Sequence, residues 1–234
     1  MIGTLINVIA ILLGSVVGMI FGARLPEQLK TTIVSGMGLF VAAIGLQMFL
    51  ESGNALIVLG ALLIGATLGE WWRIEERIEA LGGWLERKFT RGDGGASSRF
   101  VRGFLGASLI CCTGPLAILG SINDGLRGDF LTLATKSVLD GFITIALSST
   151  MGVGVLFSSI PVAIYQGSIS LFARQLSAVM NERMIHEMTA TGGVILIGLS
   201  ISSLLEIKKI KVGNFLPALV IAPLVVYLLG LFGQ

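Results

Sequence analysis

Three segments near the start of the chain, residues 2–21, 31–50 and 55–69, contain no charged side chain. A transmembrane helix needs about 20 predominantly apolar residues. Backbone polar groups in lipid must pair within their own segment, so such segments are expected to be helical. The composition of the whole chain also indicates a membrane protein, because 13% of its residues are charged whereas soluble domains contain about 25%.

The hydropathy pattern predicts an all-α integral membrane protein with about eight transmembrane helices. The predicted spans are residues 2–21, 31–50, 54–72, 100–120, 130–150, 153–173, 188–207 and 214–232. The fifth and sixth are nearly continuous, so a count of seven is the alternative. Pro161 lies inside the sixth span and predicts a kink or the first turn of a helix.

The longest connection has the periodicity of an amphipathic helix. In "RIEERIEALGGWLERKF", one face carries Ile74, Ile78, Leu81 and Leu85. We expect this helix to extend from the third span or to lie on the membrane surface. The following "RGDGGASSR" has the composition of a linker and marks the boundary between two halves of the chain.

Basic residues are concentrated in the odd-numbered loops of the predicted bundle. They are Arg24, Lys30, Arg73, Arg77, Arg87, Lys88, Arg91, Arg99, Lys208, Lys209 and Lys211. Because cytoplasmic loops are enriched in Lys and Arg, this side is predicted to be cytoplasmic and both termini to lie outside the cytoplasm. A seven-span count would move the C-terminus inside.

The two halves share short sequence similarities at a nearly constant offset. "AILLGSVVG" at residues 10–18 matches "AILGSINDG" at residues 117–125, and "KTTIVSG", ending at Gly36, matches "TKSVLDG", ending at Gly141. Three spans precede the linker, so the second copy would enter the membrane from the opposite side. This predicts a 3+3 inverted-topology repeat plus two C-terminal helices, an arrangement that places transport sites near the midplane.

Four parts of the chain follow from this organisation. Residues 1–72 are predicted to form the first three-helix repeat, and residues 73–99 an amphipathic cytoplasmic helix and linker. Residues 100–173 form the second, inverted repeat, and residues 174–234 two additional transmembrane helices. The short, glycine-rich spans also predict a homodimer, because small residues allow helices to pack closely.

A polar stripe runs along the predicted fifth span. Its members recur at every fourth position: Thr132, Lys136, Asp140, Thr144 and Ser148. Asp140 lies about 15 Å into the membrane if the helix begins near Asp129, and Lys136 is close enough to pair with it. A charge at that depth costs about 2.5–3.5 kcal/mol on insertion scales. The stripe is therefore expected to face a cavity, a pore or protein; the alternative is a Lys–Asp pair that only fixes helix packing.

Other polar residues are candidates for the same site. Asp129 is predicted to cap the fifth span. Asp124 is a turn residue in "NDG", or it belongs to a segment that folds back into the protein if "CTGP" breaks the fourth helix. Asn7 and Gln166 lie inside spans, where interhelical hydrogen bonds are the simpler interpretation. The residues predicted to bind a substrate or ion are Asp140, Lys136, Asp124, Asn7, Thr113, Gln166 and Thr144.

Several function classes lack support in the sequence. The net charge is +2 and no basic run contains aromatic residues, which argues against nucleic-acid binding. A P-loop, a GxSxG elbow and metal-ligand spacing are absent. The adjacent Cys111 and Cys112 are interpreted as buried structural thiols. We therefore predict no enzyme activity, no metal and no cofactor.

The predicted function is passage of a small solute or ion through a secondary transporter or a channel. Asp140 would bind a cation or exchange a proton, and Lys136 would tune it or contact an anion. The alternative is a non-transporting membrane scaffold or sensor that acts through the amphipathic segment. The expected partners are the lipid bilayer, a small solute or ion, and a second copy of the chain.

Three stretches of the chain are distinctive in order and spacing: "GTLINVIAILLGSVVG", "CTGPLAILGSINDGLRGD" and "KSVLDGFITIALSSTMGVGVLFSSIPVAIYQGSISL". They resemble a bacterial membrane family, the domain of unknown function 554 family, with YdfK-like and YqgA-like members. The resemblance covers nearly the whole chain. It implies a bacterial inner-membrane protein, and it supplies no catalytic or binding residue.

Overall fold

The structure, a computed structural model, describes residues 1–89 and 97–231. Its α-helices are α1 (Ile2–Gly22), α2 (Glu27–Phe49), α3 (Ala55–Trp71), α4 (Ile74–Phe89), α5 (Ser97–Cys112), α6 (Pro115–Arg127), α7 (Leu131–Met151), α8 (Gly154–Phe157), α9 (Ser159–Leu171), α10 (Ala173–Val179), α11 (Glu182–Leu199) and α12 (Ala218–Leu231). A π-helix (Ser200–Leu204) continues α11, and a 3-10 helix (Val212–Phe215) precedes α12. Within the described residues no strand occurs, so the all-α prediction is confirmed.

Between six and eight helical segments of the described chain are long and apolar enough to cross a membrane. The higher count treats two bent helix pairs as single spans. One pair joins α3 to the first part of α4 with a bend of 59°, and the other joins α5 to α6 with a bend of 62°. The predicted multi-pass membrane protein is therefore confirmed.

The contacts between α1 and α7 show that these helices run parallel. Gly3 of α1 lies against Leu133 near the start of α7, and Gly18 lies against Ser148 near its end. We call the end at which α1 begins the N-terminal side, and the other end the opposite side. In the polar stripe of α7, Asp140, Thr144 and Ser148 contact α1, whereas Thr132 lies against Gly120 of α6. The stripe therefore faces protein, which is one of the three predicted environments.

The bent pair α5–α6 crosses the full length of α7. Gly103 near the start of α5 lies against Met151, the last residue of α7. Gly120 of α6 lies against Leu133, near the beginning of α7. The pair therefore runs antiparallel to α7 from end to end, which is the geometry of a broken span and not of a re-entrant loop.

The C-terminal helices pack against α2 and α3. Glu187 near the start of α11 contacts Ser52, which follows α2, and Leu205 beyond the π-helix lies against Gly38. Thus α11 runs antiparallel to α2. Ala218 at the start of α12 lies against Gly65 near the end of α3, and Val226 later in α12 packs with Ile57 near the start of α3. Since α12 runs antiparallel to α3, it ends on the N-terminal side, which the eight-span prediction requires.

The helices form two packing groups. The α1 group consists of α1 and α5–α10, and the α2 group of α2, α3, α11 and α12. α1 therefore packs with the second predicted repeat, while α2 and α3 pack with the two C-terminal helices. The division into residues 1–72, 100–173 and 174–234, like the inverted repeat itself, stays a prediction.

The predicted amphipathic helix corresponds to α4, which turns away from α3. Its anchor is Glu75, whose carboxylate accepts the backbone N–H of Gly213 over 2.6 Å and whose own N–H donates to Asn214 Oδ1 over 2.8 Å. Burial raises the pKa of Glu75. The side chain of Leu85 and residues 91–96 of the predicted linker lie outside the described residues.

Candidate functional site

The break between α5 and α6 lies midway along the broken span. Gly114 has a φ of 132°, a conformation that residues with a Cβ rarely adopt. Pro115 follows as the first residue of α6, where its missing N–H costs nothing. Helix ends leave carbonyl and N–H groups without intrahelical partners. The predicted break at "CTGP" is therefore present, and it places the end of α5 and the start of α6 in the middle of the bundle.

Four buried polar side chains meet beside this break, and we call them the polar cluster: Asn7, Lys136, Asp140 and Gln166. Lys136 Nζ donates to Asp140 Oδ2 one turn away on α7. Asn7 Nδ2, on α1, donates to the same oxygen over 2.9 Å. It also donates to Gln166 Oε1, on α9, over 3.2 Å. Three helices thus supply one connected network.

The cluster is electrically neutral but incompletely hydrogen-bonded. Lys136 and Asp140 compensate each other's charge, which a carboxylate at this depth requires. Within the described residues, Asn7 Oδ1 and Gln166 Nε2 are buried and have no hydrogen-bond partner. A buried unsatisfied polar atom costs about 1–3 kcal/mol. One free acceptor and one free donor therefore stand next to the ion pair, and a polar ligand could satisfy both.

Apolar side chains and a thiol surround the cluster. Ile11, Cys111 and Val162 pack together from three helices, and the fully buried Cys111 lies within electrostatic range of Lys136 and Asp140. Their low polarity strengthens the electrostatic interactions of the pair. In the described part of the chain, no three His, Cys, Asp or Glu side chains come together as a metal site.

Three predicted site residues lie outside the cluster: Thr144, Thr113 and Asp124. Thr144, on the same face of α7, donates its hydroxyl to the Gly141 carbonyl over 3.0 Å and packs against Gly14. Thr113 points its methyl group at Gly192 of α11, and its buried hydroxyl has no partner among the described residues. Thr113 therefore lies at the contact between the α1 group and the α2 group.

Asp124 occupies a different place from the one its "NDG" sequence indicates. It lies inside α6, so the interpretation as a turn residue is wrong. Its buried carboxylate accepts the N–H of Gly3 over 3.0 Å and the N-terminal ammonium of Met1 over 3.0 Å. It therefore caps α1. Asp129 accepts the N–H of Leu131, the first residue of α7, over 3.1 Å. It therefore contacts the first turn of α7, but the N-cap residue of the helix is Phe130.

Sequence reasoning missed the buried carboxylate of Glu187. It accepts the hydroxyl of Ser52 over 2.7 Å and the N–H groups of Gly53 and Asn54 over 2.9 Å each. These donors stand at the start of α3, so Glu187 fixes the connection between α2 and α3. The predicted seventh span began at residue 188, one position too late to include this residue, although α11 begins at Glu182.

A cavity of about 320 Å³ opens at the opposite side, where α2 of one group meets α5 and α7 of the other. The π-helix and the residues after it complete its wall. The lining residues are Glu27, Lys30, Thr31, Val34, Ser35, Arg99, Arg102, Thr150, Met151, Ser203, Leu204, Leu205 and Glu206. Sequence reasoning missed this cavity because its wall comes from four distant segments.

Comparison with known proteins identifies a family whose function is unknown. The family described as "Protein of unknown function (DUF554)" matches residues 2–227. The uncharacterized membrane protein YdfK of Bacillus subtilis (strain 168) is 33% identical over 100% of this chain and 99% of its own length. The uncharacterized protein YqgA of Escherichia coli (strain K12) is 29% identical over 94% of each chain. No solved structure matches.

Proposed function

The chain belongs to the DUF554 family, and from this premise we propose that it transports a small solute or ion across the bacterial inner membrane. One observation carries the proposal: the polar cluster holds a buried ion pair and two unsatisfied amide atoms beside a broken span. Ionisable groups within spans are rare and mark substrate, ion or proton pathways. Broken helices are a recurrent feature of transporter binding sites.

Asp140 is the exchange site in this proposal. Protonation of its carboxylate would release Lys136, because the neutral acid no longer compensates the ammonium charge. A cation would compete with Lys136 for the same carboxylate, whereas an anion would be attracted to the released ammonium. Asn7 Oδ1 and Gln166 Nε2 would complete the coordination of the solute.

The two packing groups supply the moving parts. Close glycine contacts hold helices together within each group, as where Gly45 of α2 meets Gly193 of α11. Between the groups, Gly192 of α11 lies against Thr113 at the helix break. We assign this contact, together with the hydrophobic core that the two groups share, as the closure between the cavity of the opposite side and the N-terminal side. Rocking of one group against the other would open it, the motion by which repeat-built transporters alternate access.

Flux measurements with Asp140→Asn test the proposal. Purified protein in liposomes is assayed for proton movement with a pH-sensitive dye and for uptake of labelled sodium and phosphate. We expect the variant to lose flux, or the pH dependence of flux, while remaining monodisperse. Asp129→Asn is the matched control, because Asp129 is an exposed carboxylate that contacts the first residue of the same helix. Unchanged flux in Asp140→Asn would remove Asp140 from the mechanism.

The alternative function, a scaffold or sensor, has its own structural support. Glu75 ties α4 to the segment that leads into α12, so a partner bound to α4 could act on the α2 group. Deletion of residues 74–89 separates the two functions. A transporter retains flux after this deletion, whereas a scaffold loses its partner and shows no flux before or after it.

A further inference from the structure

The cavity at the opposite side has an excess of positive charge. Three of its lining side chains are cationic, Lys30, Arg99 and Arg102, and two are carboxylates, Glu27 and Glu206. Its volume of about 320 Å³ lies at the lower end of the range for small-molecule sites. The ligand that fits best is therefore small and negatively charged.

In the two ion pairs of the cavity, the cation is less exposed than its carboxylate partner. Lys30 pairs with Glu27 over 2.8 Å, and the Lys30 side chain is 20% exposed whereas Glu27 is 76% exposed. Arg102 pairs with Glu206, with exposed fractions of 33% and 63%. Both carboxylates can therefore turn into water at little cost, because ion pairs at exposed positions contribute little to stability. Lys30 and Arg102 remain part of the cavity lining.

Arg99 adds a third cation at the mouth of the cavity. It is exposed, and it acts electrostatically on Glu27. A guanidinium presents a planar fork of donors that matches carboxylate and phosphate oxygens. With two arginines of α5 one turn apart in the chain, the cavity offers bidentate recognition that a lysine alone would not provide.

The backbone of this wall is also unusual. The π-helix of Ser200–Leu204 contributes Ser203 and Leu204 to the lining, and short π segments within helices occur frequently at functional sites. Glu206, the partner of Arg102, has a φ of 53°, a left-handed conformation that is uncommon for a non-glycine residue.

From these observations we propose that the cavity binds a small anion with a phosphate or carboxylate group, held by Lys30, Arg99 and Arg102. The anion displaces Glu206 and Glu27 from their pairs. This assignment deepens the proposed function, since it names the substrate class that enters from the opposite side, and its physiological meaning rests on that function. Binding itself does not depend on flux and is measured separately.

Isothermal titration of inorganic phosphate into the purified protein in detergent tests the proposal, with succinate as the carboxylate probe. Arg102→Gln and Arg99→Gln are expected to weaken binding about tenfold or more, the loss of one charge-assisted contact. Glu206→Gln is expected to tighten binding, because the competing carboxylate is gone. Arg127→Gln is the matched control, since Arg127 lies at the other end of the bundle in α6.

The two partners of one ion pair are expected to change the affinity in opposite directions, and misfolding cannot produce this result. A damaged protein would lose binding in both Arg102→Gln and Glu206→Gln. Absence of phosphate and succinate binding in the wild type, or equal affinity in all variants, would overturn the proposal. Intact binding with no flux in liposomes would instead overturn the transport function and leave the anion site standing.

A lipid headgroup could supply the same phosphate chemistry. Titrations in nanodiscs of phosphatidylcholine alone and of phosphatidylcholine with phosphatidylglycerol separate the two sources. A soluble anion is supported if phosphate binds equally in both. Loss of phosphate binding in the anionic discs, together with phosphatidylglycerol that copurifies with wild type but not with Arg102→Gln, identifies the headgroup as the bound phosphate.

Discussion

Asn7 on α1 donates a hydrogen bond to the carboxylate of Asp140 on α7 over 2.9 Å. The same carboxylate oxygen accepts from Lys136. One atom therefore joins the local pair of α7 to a residue that stands 133 positions earlier in the chain. This shared oxygen links the parallel packing of α1 and α7 energetically to the charge state of the buried site.

The first prediction concerns the ion pair. Lys136→Met should destabilise the protein by about 3–5 kcal/mol, because it leaves a buried carboxylate without its cation. The double variant Lys136→Met, Asp140→Asn should recover much of this loss, since no uncompensated charge remains. Unfolding in detergent, followed by circular dichroism, measures both.

The control for the ion pair is Lys30→Met, at a cation whose partner is largely exposed. Its effect should stay within about 1 kcal/mol. Equal destabilisation by Lys136→Met and the double variant would show that the two side chains are not coupled in stability.

The second prediction concerns the close approach of α1 and α7. A Cβ added at Gly14 would lie 2.6 Å from the carbonyl oxygen of Gly141. Gly14→Ala should therefore push the helices apart and cost about 1–3 kcal/mol. Gly36→Ala is the matched control, because Gly36 is also in a helix and has no atom within 4 Å of the added Cβ. The control should be neutral or stabilising by up to about 1 kcal/mol, and a similar loss in both variants would contradict the packing.

The third prediction concerns Glu187, which accepts three hydrogen bonds at the start of α3. Glu187→Gln keeps one acceptor oxygen and turns an amide donor toward other donors. We expect faster hydrogen exchange at Gly53 and Asn54 and a loss of about 1–3 kcal/mol. Glu182→Gln, at an exposed position of the same helix, is the control. Unchanged exchange in Glu187→Gln would show that the loop is held by other contacts.

How much of the site could be predicted depends on how local each contact is. The Lys136–Asp140 pair follows from four-residue spacing on one helix, and the sequence contains all that is needed to infer it. Asn7 and Gln166 were identified singly as buried polar residues. That they meet beside Asp140 depends on tertiary structure, because it requires α1 to pack against the second half of the chain.

Helix packing itself could not be predicted, because lipid removes the usual signal. In a soluble protein, alternation of polar and apolar faces shows which side of a helix is buried. In a membrane, lipid-facing and protein-facing residues are both apolar, and small residues mark the contacts instead. Gly14 and Gly45 carry that information, but glycine is frequent in this chain, so its partners could not be assigned. The cavity was missed because its wall comes from four distant segments, whose packing could not be predicted.

The last prediction uses the pH dependence of the α4 anchor. Burial raises the pKa of Glu75 above its ordinary value of 4.5, so the folded protein binds the proton more tightly than the unfolded chain. The contribution of Glu75 to stability is then full below the ordinary pKa and is lost as the pH rises through the raised value. Glu75→Gln keeps an acceptor for the Gly213 N–H without the charge. Its melting temperature should exceed that of the wild type at pH 7, and the difference should shrink toward pH 4. The exposed Glu76→Gln should show no such trend, and a difference that grows on acidification would contradict the assignment.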